Sequence, residues 1–555
     1  MKKLIIILLV FIGLNTQATT YYISTTGSNS NNGSSNSPWL TLNYACAHAT
    51  TSGDIIHVNS GTYTETTQIN LAVGVSIIGE GLTSIIKSTL TADWVPIISL
   101  ESTTMADGNQ SISYLNFDGN STTTTQAILI RGRSNVTVNH CNFKDFKYRA
   151  VQFDAYLDTS SSSPRDNNNE GVLFSSLFLS DYRSGNTFHD NIVTNCAGYA
   201  TGGAGQGALM ISGQIGMLIY NNNINQSGRT AGTNGWPIKT GDWGAWLKGC
   251  KIYDNILFKD DLTNWEFAIE MYCPVEGLEI YNNTITGSID INNALKGSYD
   301  YGLYIHNNTI GPLIPASGNY RGVVLEYSVS DVIITKNEIR NCAVGVCYSP
   351  REGTVIADNE ISYNIIHDVG TGSHFYAAIL IPNSGYHTYT VTRINIYNNV
   401  IHANTSSSAS AYFGFECQAP ITYLNIVNNI FVNFNAQWMK LNPSSVDDYI
   451  NIKNNISYNN GSSNAINFVT GNPSHYINSG SLASNPLFVS ATDFHLQSGS
   501  PAIDTGVGVG LTTDYEGNPI PINGVPDIGA YEFGITHIVN HLGSPIYHNG
   551  TIIAY

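Results

Sequence analysis

Basic residues are scarce in this chain of 555 residues, where 23 Lys and Arg stand against 40 Asp and Glu and the formal net charge is −17. Nucleic acid is therefore not expected as a partner, because phosphate backbones are bound through basic faces that this composition does not supply. A polyanion is also repelled at long range, although salt screens that repulsion beyond about 8 Å.

Long apolar runs are missing as well. The run from Leu4 to Leu14 is too short for a membrane-spanning helix, which needs about 20 residues. It follows two lysines and precedes small residues around Ala18, a pattern typical of a secretory signal peptide. We expect cleavage near Ala18, no membrane span, and a secreted protein that is extracellular or periplasmic.

Cysteine is sparse, with eight residues and no CxxC pair of the kind that binds metals. Eight cysteines in a chain of this length do not make a disulfide scaffold. We expect buried thiols that act as small apolar side chains. Cys342 and Cys347 are the closest pair if a disulfide forms.

Aromatic residues, in contrast, are plentiful, with 33 Tyr, 19 Phe and 7 Trp, and this excludes a disordered chain. A short motif also recurs, in which Asn stands three residues after an apolar residue and usually two before another. Two earlier copies carry Leu115 and Cys141 in place of the Asn. The Asn residues of the motif, 22 to 40 positions apart, are Asn191, Asn222, Asn255, Asn283, Asn308, Asn337, Asn359, Asn399, Asn429 and Asn455.

Repeats of this length, flanked by short β-branched runs without helical periodicity, predict a solenoid of β-strands. A stacked Asn amide can bond the backbone of its own turn and of the equivalent turns above and below. About 12 to 13 rungs at roughly 4.8 Å each give a rod of about 60 Å. The interval of 50 residues from Cys141 to Asn191 holds a polar run at 159–170, which predicts a long loop.

Both ends of the chain carry further signatures. They are Tyr21 to Gly33, Pro38 to Leu42 and Gly53 to Tyr63 near the start, and Asn485 to Phe488, Asp493 to Leu496, Gly499 to Asp504 and Asp527 to Phe533 near the end. With the repeats, these segments resemble right-handed parallel β-helix proteins of the pectate-lyase-like superfamily, of the secreted bacterial type. The resemblance implies an all-β, right-handed, single-stranded parallel β-helix that acts on or binds a polysaccharide.

The expected organisation follows the chain from end to end. The signal peptide covers 1–18, and an N-terminal cap with the first rungs covers 19–110. The β-helix body covers 111–480, the C-terminal exit rungs cover 481–533, and a tail covers 534–555.

Charge gathers in four consecutive repeats. Aligning the short strands upstream of the Asn motifs places Leu247, Ile269, Leu325 and Phe415 in the core, so the residue that follows each faces outward. The predicted outward patch spans about 15 Å and consists of Lys248, Glu270, Asn292 and Glu326 with Asp290 and Trp246 beside them.

This patch is a candidate floor for a sugar-binding groove, because aromatic faces stack on pyranose rings while carboxylates and amides bind hydroxyl groups. The predicted walls come from a loop at 227–241 and its neighbours, with Trp236, Lys239, Asp242, Trp243 and Trp265 as candidate substrate contacts.

Two reaction types fit these residues. In β-elimination, which we place ahead of hydrolysis, Lys248 acts as base, and Arg321 or a tyrosine assists the leaving oxygen. Hard oxygen ligands from Glu270, Asn292 and Glu326 then hold Ca²⁺, and this mixture resembles calcium-dependent alginate and dermatan lyases. In hydrolysis, two carboxylates from Glu270, Asp290 and Glu326 act as acid and base.

Two alternatives need no catalysis. Opposite charges in adjacent rungs, such as Arg131 with Asp154 and Glu416 with Lys440, form stabilising cross-strand pairs, and Lys248 with Glu270 is predicted to be another. A glycan-binding surface or virion fibre would use the same aromatic-rich face. The oligomeric state stays open.

Overall fold

The computed structural model describes residues 18–121, 124–155, 182–196, 206–228, 235–240, 246–259, 267–312, 320–370, 377–383, 389–403, 412–443, 449–461, 466–468, 475–522, 524–534, 546–548 and 551–553. Nearly all of the predicted signal peptide, the loop residues Asp242, Trp243 and Trp265, and most of the predicted tail lie outside these ranges. Among the described helices, none has the length and apolar character needed to cross a bilayer.

The described chain coils through two parallel sheets, and each strand pairs with its equivalent in the next coil. The predicted fold class, an all-β, right-handed, single-stranded parallel β-helix, is confirmed. The larger sheet has 32 strands: Thr20–Ile23, Ile55–Val58, Ile69–Asn70, Ser76–Gly79, Pro96–Ser113, Gln126–Asn139, Arg149–Asp154, Arg183–Ser184, Thr187–His189, Gln206–Ile211, Gln214–Ile215, Leu218–Tyr220, Gly235–Thr240, Leu247–Lys248, Lys251–Tyr253, Phe267–Glu276, Leu278–Tyr281, Ser288–Leu295, Leu303–His306, Arg321–Glu326, Val329–Ser330, Val332–Thr335, Val344–Ser349, Val355–Ser362, Ala377–Ile381, Thr390–Tyr397, Phe413–Ile421, Tyr423–Val427, Met439–Pro443, Tyr449–Lys453, Ile466–Phe468 and His475–Ser479.

The second sheet has 14 strands among the described residues, and the last ten of them each follow an Asn of the motif. They are Gly61–Glu65, Ser84–Ser88, Asn116–Asp118, Asn142–Lys144, Ile192–Thr194, Asn223–Asn225, Ile256–Phe258, Thr284–Thr286, Thr309–Ile310, Glu338–Arg340, Ile365–Val369, Val400–Ala403, Ile430–Val432 and Ile456–Tyr458. The remaining described elements are an α-helix at Leu42–His48, a 3₁₀ turn at Gly81–Thr83 and a hairpin of Ile546–His548 with Thr551–Ile553.

Buried Asn side chains stack at the turn between the two sheets. The Asn255 side-chain amide donates to Asn283 Oδ1 at 2.9 Å, and the Asn255 backbone N–H donates to the same oxygen at 3.0 Å. The residue before each Asn turns the chain with a left-handed backbone, as at Asp254 (φ 54°) and Asn282 (φ 54°). Because Asn and Asp tolerate this conformation better than most residues, the motif often reads Asn-Asn or Asp-Asn.

We call this stack the Asn column. In the structure its members are Asn191, Asn222, Asn255, Asn283, Asn308, Asn337, Asn364, Asn399, Asn429 and Asn455. The prediction that Asn359 belongs to this stack is wrong, since the Asn337 side-chain amide donates to Asn364 instead. Asn359 serves another bend of the same coil, where it accepts from the Val332 backbone N–H at 3.0 Å. Two Asn residues five positions apart made the motif ambiguous.

The interior is built from stacked aliphatic side chains. Leu247, Ile269, Leu325 and Phe415 are fully buried, as the alternation of the strands predicts. All eight cysteines are buried, as expected of thiols that act as small apolar side chains.

Residues 482–533 carry isolated bridges instead of coil strands. They pack Phe494, Leu496 and Ile528 against the outer face of the second sheet, next to Ile365 and Val400. The segment predicted as exit rungs therefore lies across the coils.

Candidate functional site

A short column of charged side chains lies on one face of the larger sheet. Lys239 pairs in register with Glu270, and Glu270 pairs with Asp290, so the three residues occupy equivalent positions in consecutive coils, about 4.8 Å apart. They are 3%, 7% and 1% exposed. We call these three residues the charged column.

The Lys239 amine contacts the Glu270 carboxylate directly. It also lies 4.9 Å from the centre of the Trp236 ring and 5.2 Å from that of Tyr272. A buried carboxylate is costly unless a cation pairs with it. Lys239 thus balances one of the two carboxylates that share the column.

Trp236 and Lys239 lie on the strand Gly235–Thr240, so their predicted place in a loop wall is wrong. The Gly, Asn and Pro residues of 227–241 suggested a loop. The deciding residue is Ile238, which is fully buried in register with Ile269 and makes this segment a coil strand.

A second group lies two residues further along the strands. Asn292 and Glu326 follow Ile291 and Leu325, which pair in register. Asn292 is 3% exposed, and its Oδ1 has no hydrogen-bond partner among the described residues. A carbonyl oxygen in this state is available to a ligand that can donate to it or coordinate it.

Burial raises the pKa of Glu326, while the cations Arg321 and Arg351 oppose that rise and the charge of Glu270 adds to it. Glu326 and Arg321 are only partly buried, so they form the accessible edge of the cluster. Arg321 also lies 5.7 Å from the centre of the Phe267 ring.

The strand Phe267–Glu276 has an irregular register between Met271 and Pro274. Such bulges locally bend a strand and redirect side chains, and they are common beside active sites. Tyr272 lies within this irregularity, where it reaches Lys239.

The predicted pairing of Lys248 with Glu270 is wrong. Lys248 pairs in register with Glu276, and its amine lies 3.0 Å from that carboxylate. It also lies 5.1 Å from the ring centre of Trp246, which is 1% exposed. Lys248 and Trp246 thus belong to the next face of the coil. Two strands, Gly235–Thr240 and Leu247–Lys248, precede the motif strand Lys251–Tyr253 in this interval, and the alignment took the second of them for the first.

The other two predicted ion pairs are confirmed. Arg131 contacts Asp154 at 3.2 Å, and Lys440 contacts Glu416 at 2.6 Å. Charge pairing between coils is therefore a general stabilising device of this protein. The cluster around Glu270 differs from these isolated pairs. Besides the Lys239–Glu270 pair it contains Asp290, Asn292 and Glu326, and its members occupy two adjacent columns along the sheet.

Sequence reasoning missed Tyr272, Arg351 and Glu276. Arg351 lies in the next coil, two residues after Ser349, which pairs in register with Glu326, and its charge opposes the rise in the pKa of Glu326. Strand alternation does not reveal it, because the strand ends at Ser349. Glu276 follows the irregularity at 271–274, where the period of two is broken.

Calcium ligation by Glu270, Asn292 and Glu326 stays a prediction. The free Oδ1 of Asn292 and the carboxylate of Glu326 are hard oxygen donors that suit Ca²⁺. Glu270, in contrast, is already held by Lys239, so it fits such a site only if that ion pair opens.

No family model and no curated protein matches the chain. Among solved structures, XylC in complex with xylose has a TM-score of 0.40 at 11% identity and covers 81% of this chain and 86% of its own. The Azotobacter vinelandii mannuronan C-5 epimerase AlgE4 A-module has a TM-score of 0.36 at 14% identity, covering 72% and 91%. The Dettilon tailspike protein has a TM-score of 0.40 at 13% identity, covering 81% and 68%. At these TM-scores the likenesses carry no argument about activity.

Proposed function

We propose that this protein is a secreted, carbohydrate-active β-helix that cleaves a polysaccharide at the charged column and its accessible edge. One observation carries the proposal: three carboxylates, Glu270, Asp290 and Glu326, come from three consecutive coils with two cations, Lys239 and Arg321, among them. Paired carboxylates in unequal surroundings are the usual equipment of glycoside hydrolysis.

Glu326 is the proposed general acid. Burial raises its pKa, which keeps the proton on the carboxyl at a higher pH and lets it protonate a leaving oxygen. Its position at the partly exposed edge also gives a substrate access to it.

Asp290 is the proposed partner carboxylate. It lies one coil before Glu326 and two residues back along the strand, so the two α-carbons are about 8 Å apart by strand geometry. Inverting glycosidases hold their two carboxyl groups about 6.5 to 9.5 Å apart and retaining ones about 5 to 5.5 Å apart, and α-carbons at this distance fit either pair. The Lys239–Glu270 ion pair would then keep the charged side chains around these two carboxyl groups in position.

Hydrolysis is favoured over β-elimination because elimination needs a free base. The amine of Lys248, the predicted base, already pairs with Glu276, and the amine of Lys239 pairs with Glu270, so neither is open to a substrate proton. The acidic net charge also favours a neutral or mixed glycan over a polyuronate.

The test is a panel of neutral and acidic polysaccharides incubated with the wild-type protein. We expect new reducing ends without an unsaturated product that absorbs in the ultraviolet. Replacing Glu326→Gln or Asp290→Asn should lower the rate by about 10² to 10⁴-fold. The matched control is Glu276→Gln, which alters an ion pair on the neighbouring face and should leave the rate within a factor of about two.

Other outcomes separate the alternatives. An ultraviolet-absorbing product would replace hydrolysis by β-elimination, and loss of that activity in EDTA with recovery in Ca²⁺ would support the calcium site. Tight glycan binding without products would favour a fibre or adhesin. Secretion is tested separately, by sequencing the N-terminus of the exported protein, which should begin after Ala18.

A further inference from the structure

Three side chains of the kinds that bind metals lie together at the turn between the two sheets, in other coils than the charged column. His140, His189 and Asp190 each offer a ligand atom, and these atoms all lie within 4.8 Å of one another. Within the ranges that the structure describes, no other group of three or more His, Cys, Asp or Glu meets this criterion.

The coil stacking itself brings the three residues together. His189 pairs in register with Asn139, so the next residues, Asp190 and His140, occupy the same turn in consecutive coils. Both have left-handed backbones, with φ of 55° and 52°, and the His140 backbone N–H donates to the His189 carbonyl at 3.4 Å. The spacing of the ligands is thus set by the sheet, which keeps it nearly constant.

Neighbouring groups also orient the two imidazoles. His189 Nδ1 lies 2.6 Å from Asp190 Oδ2, and its ring stacks on Tyr220 with 4.6 Å between ring centres. This contact brings an imidazole nitrogen and a carboxylate oxygen to the same point, where a metal ion can take the place of the proton they share.

The His140 ring stacks on Tyr114 at 4.7 Å, and its Nδ1 lies 3.0 Å from the Asn139 side-chain amide. The group that faces Nδ1 is the Asn139 amide nitrogen, so ligation through Nε2 requires the Asn139 side chain to turn its oxygen toward Nδ1–H. His140 is exposed and the other two residues are partly exposed, so an ion from solvent can reach all three.

We propose that His140, His189 and Asp190 bind one divalent transition-metal ion, most favourably Zn²⁺, which ties two consecutive coils together. Two imidazoles and one carboxylate suit Zn²⁺, Ni²⁺ and Cu²⁺, whereas Mg²⁺ and Ca²⁺ prefer all-oxygen sites. Three protein ligands leave one position of a tetrahedral ion for water.

The place of the site explains what the ion would do. His140 and His189 are 49 residues apart in sequence yet one coil apart in space, and the interval from Cys141 to Asn191 is the longest between consecutive motifs. Closing a long loop costs chain entropy, and a metal clip across it recovers part of that cost.

Competing thiol ligands are disfavoured. All eight cysteines are buried, whereas His140 is exposed and the other two ligands are partly exposed. Zinc uptake from solvent should therefore report on the histidine site.

The experiment is calorimetric titration of the full, tag-free chain with ZnCl₂, paired with thermal unfolding and with electron paramagnetic resonance of the Cu²⁺ form. We expect one ion per chain, a Tm that rises with free Zn²⁺ because binding favours the folded state, and nitrogen coupling in the Cu²⁺ spectrum. His189→Asn should weaken binding by about 10-fold or more.

The matched control is His306→Asn. His306 stacks on Tyr281 at 5.0 Å in the same series of rings and bonds to Glu279, so its loss should leave zinc binding unchanged. If the histidine variants unfold in EDTA, Asp190→Asn serves instead, because Asn tolerates the left-handed turn and removes only the carboxylate.

Three outcomes would overturn the proposal. They are the absence of saturable zinc binding to the wild-type protein, unchanged binding after Asp190→Asn or the histidine replacements, and binding that leaves Tm unmoved. None of these depends on the activity at the charged column.

Discussion

Two columns of polar side chains run along this coil, and they obey different rules. In the Asn column the same residue recurs, and its amide donates to the next and accepts from the previous one, as Asn255 does with Asn283 and Asn222. In the charged column the residue changes at every coil, from Lys239 to Glu270 to Asp290. A repeated polar residue therefore marks the scaffold, and a polar position that changes at each coil marks a candidate site.

The largest effect is expected from breaking the charged column on one side only. Lys239→Met leaves the 7%-exposed Glu270 carboxylate without its cation, and we expect a loss of about 3 to 5 kcal/mol in the free energy of unfolding. Urea unfolding measures it.

The double replacement Lys239→Met with Glu270→Leu is the control, because removing both charges restores an apolar interior and should recover most of the stability. An equal loss in both variants would show that packing, and not the unpaired charge, sets the effect.

A smaller loss is expected in the Asn column. Asn283→Ala removes the oxygen that accepts from the Asn255 backbone and side chain and leaves buried donors unsatisfied, at about 2 to 4 kcal/mol. The same unfolding assay applies. Asn282→Gly, at the adjacent left-handed position, should cost far less because Gly adopts that backbone freely.

The effect of pH separates amides from titrating groups. Burial raises the pKa of Asp527 to about 6 and of Glu532 to about 7, and hydrogen bonding to Glu516 raises that of His495 to about 9. A raised folded pKa gives stability at low pH that is lost as pH rises through it. Residues 482–533 should thus lose stability from about pH 4 to pH 7 through the two carboxyl groups and from about pH 6.5 to pH 9 through His495, whereas the Asn column, which does not titrate, should not.

Limited proteolysis at several pH values, with the cut sites mapped, tests this difference. His495→Gln should remove the part of the change above pH 6.5. Cleavage in 482–533 that slows as pH rises would contradict the assignment.

The smallest effect is expected at an exposed pair. Arg393 and Asp358 contact each other with side chains 52% and 42% exposed, and Arg393→Ala should cost less than about 1 kcal/mol, with a cost that shrinks further in salt. If Arg393→Ala lowered the free energy of unfolding as much as Lys239→Met, burial would not explain how much each ion pair contributes to stability.

The regular parts of the fold were predictable because each carries a local signal. The Asn turn needs an amide and a left-handed residue before it, and core positions such as Leu325 follow from alternation in one strand. The charged column was predicted only in part. Glu270 and Asp290 were predicted as members of the patch, but Lys248 was assigned to the position that Lys239 occupies. The coil between Asn222 and Asn255 contains an extra strand, and the spacing between these two Asn residues does not reveal it.

The partners of Glu326 were hidden for a related reason. Arg351 reaches it from a different strand end, and contacts of this kind depend on how coils stack, which no single segment encodes. Asn359 and Asn364 show the same limit within one strand, where two identical residues serve different bends.

The bonds of the Asn column also set the unit in which this protein can change length. The spacing between consecutive members along the chain varies from 25 to 35 residues, while the hydrogen bond from one side-chain amide to the next stays at 2.9 to 3.1 Å. Deleting one complete coil would let the flanking Asn side chains hydrogen-bond to each other again. Deleting half a coil would instead place an amide N–H donor against an apolar side chain. Such a protein can gain or lose length only in whole turns.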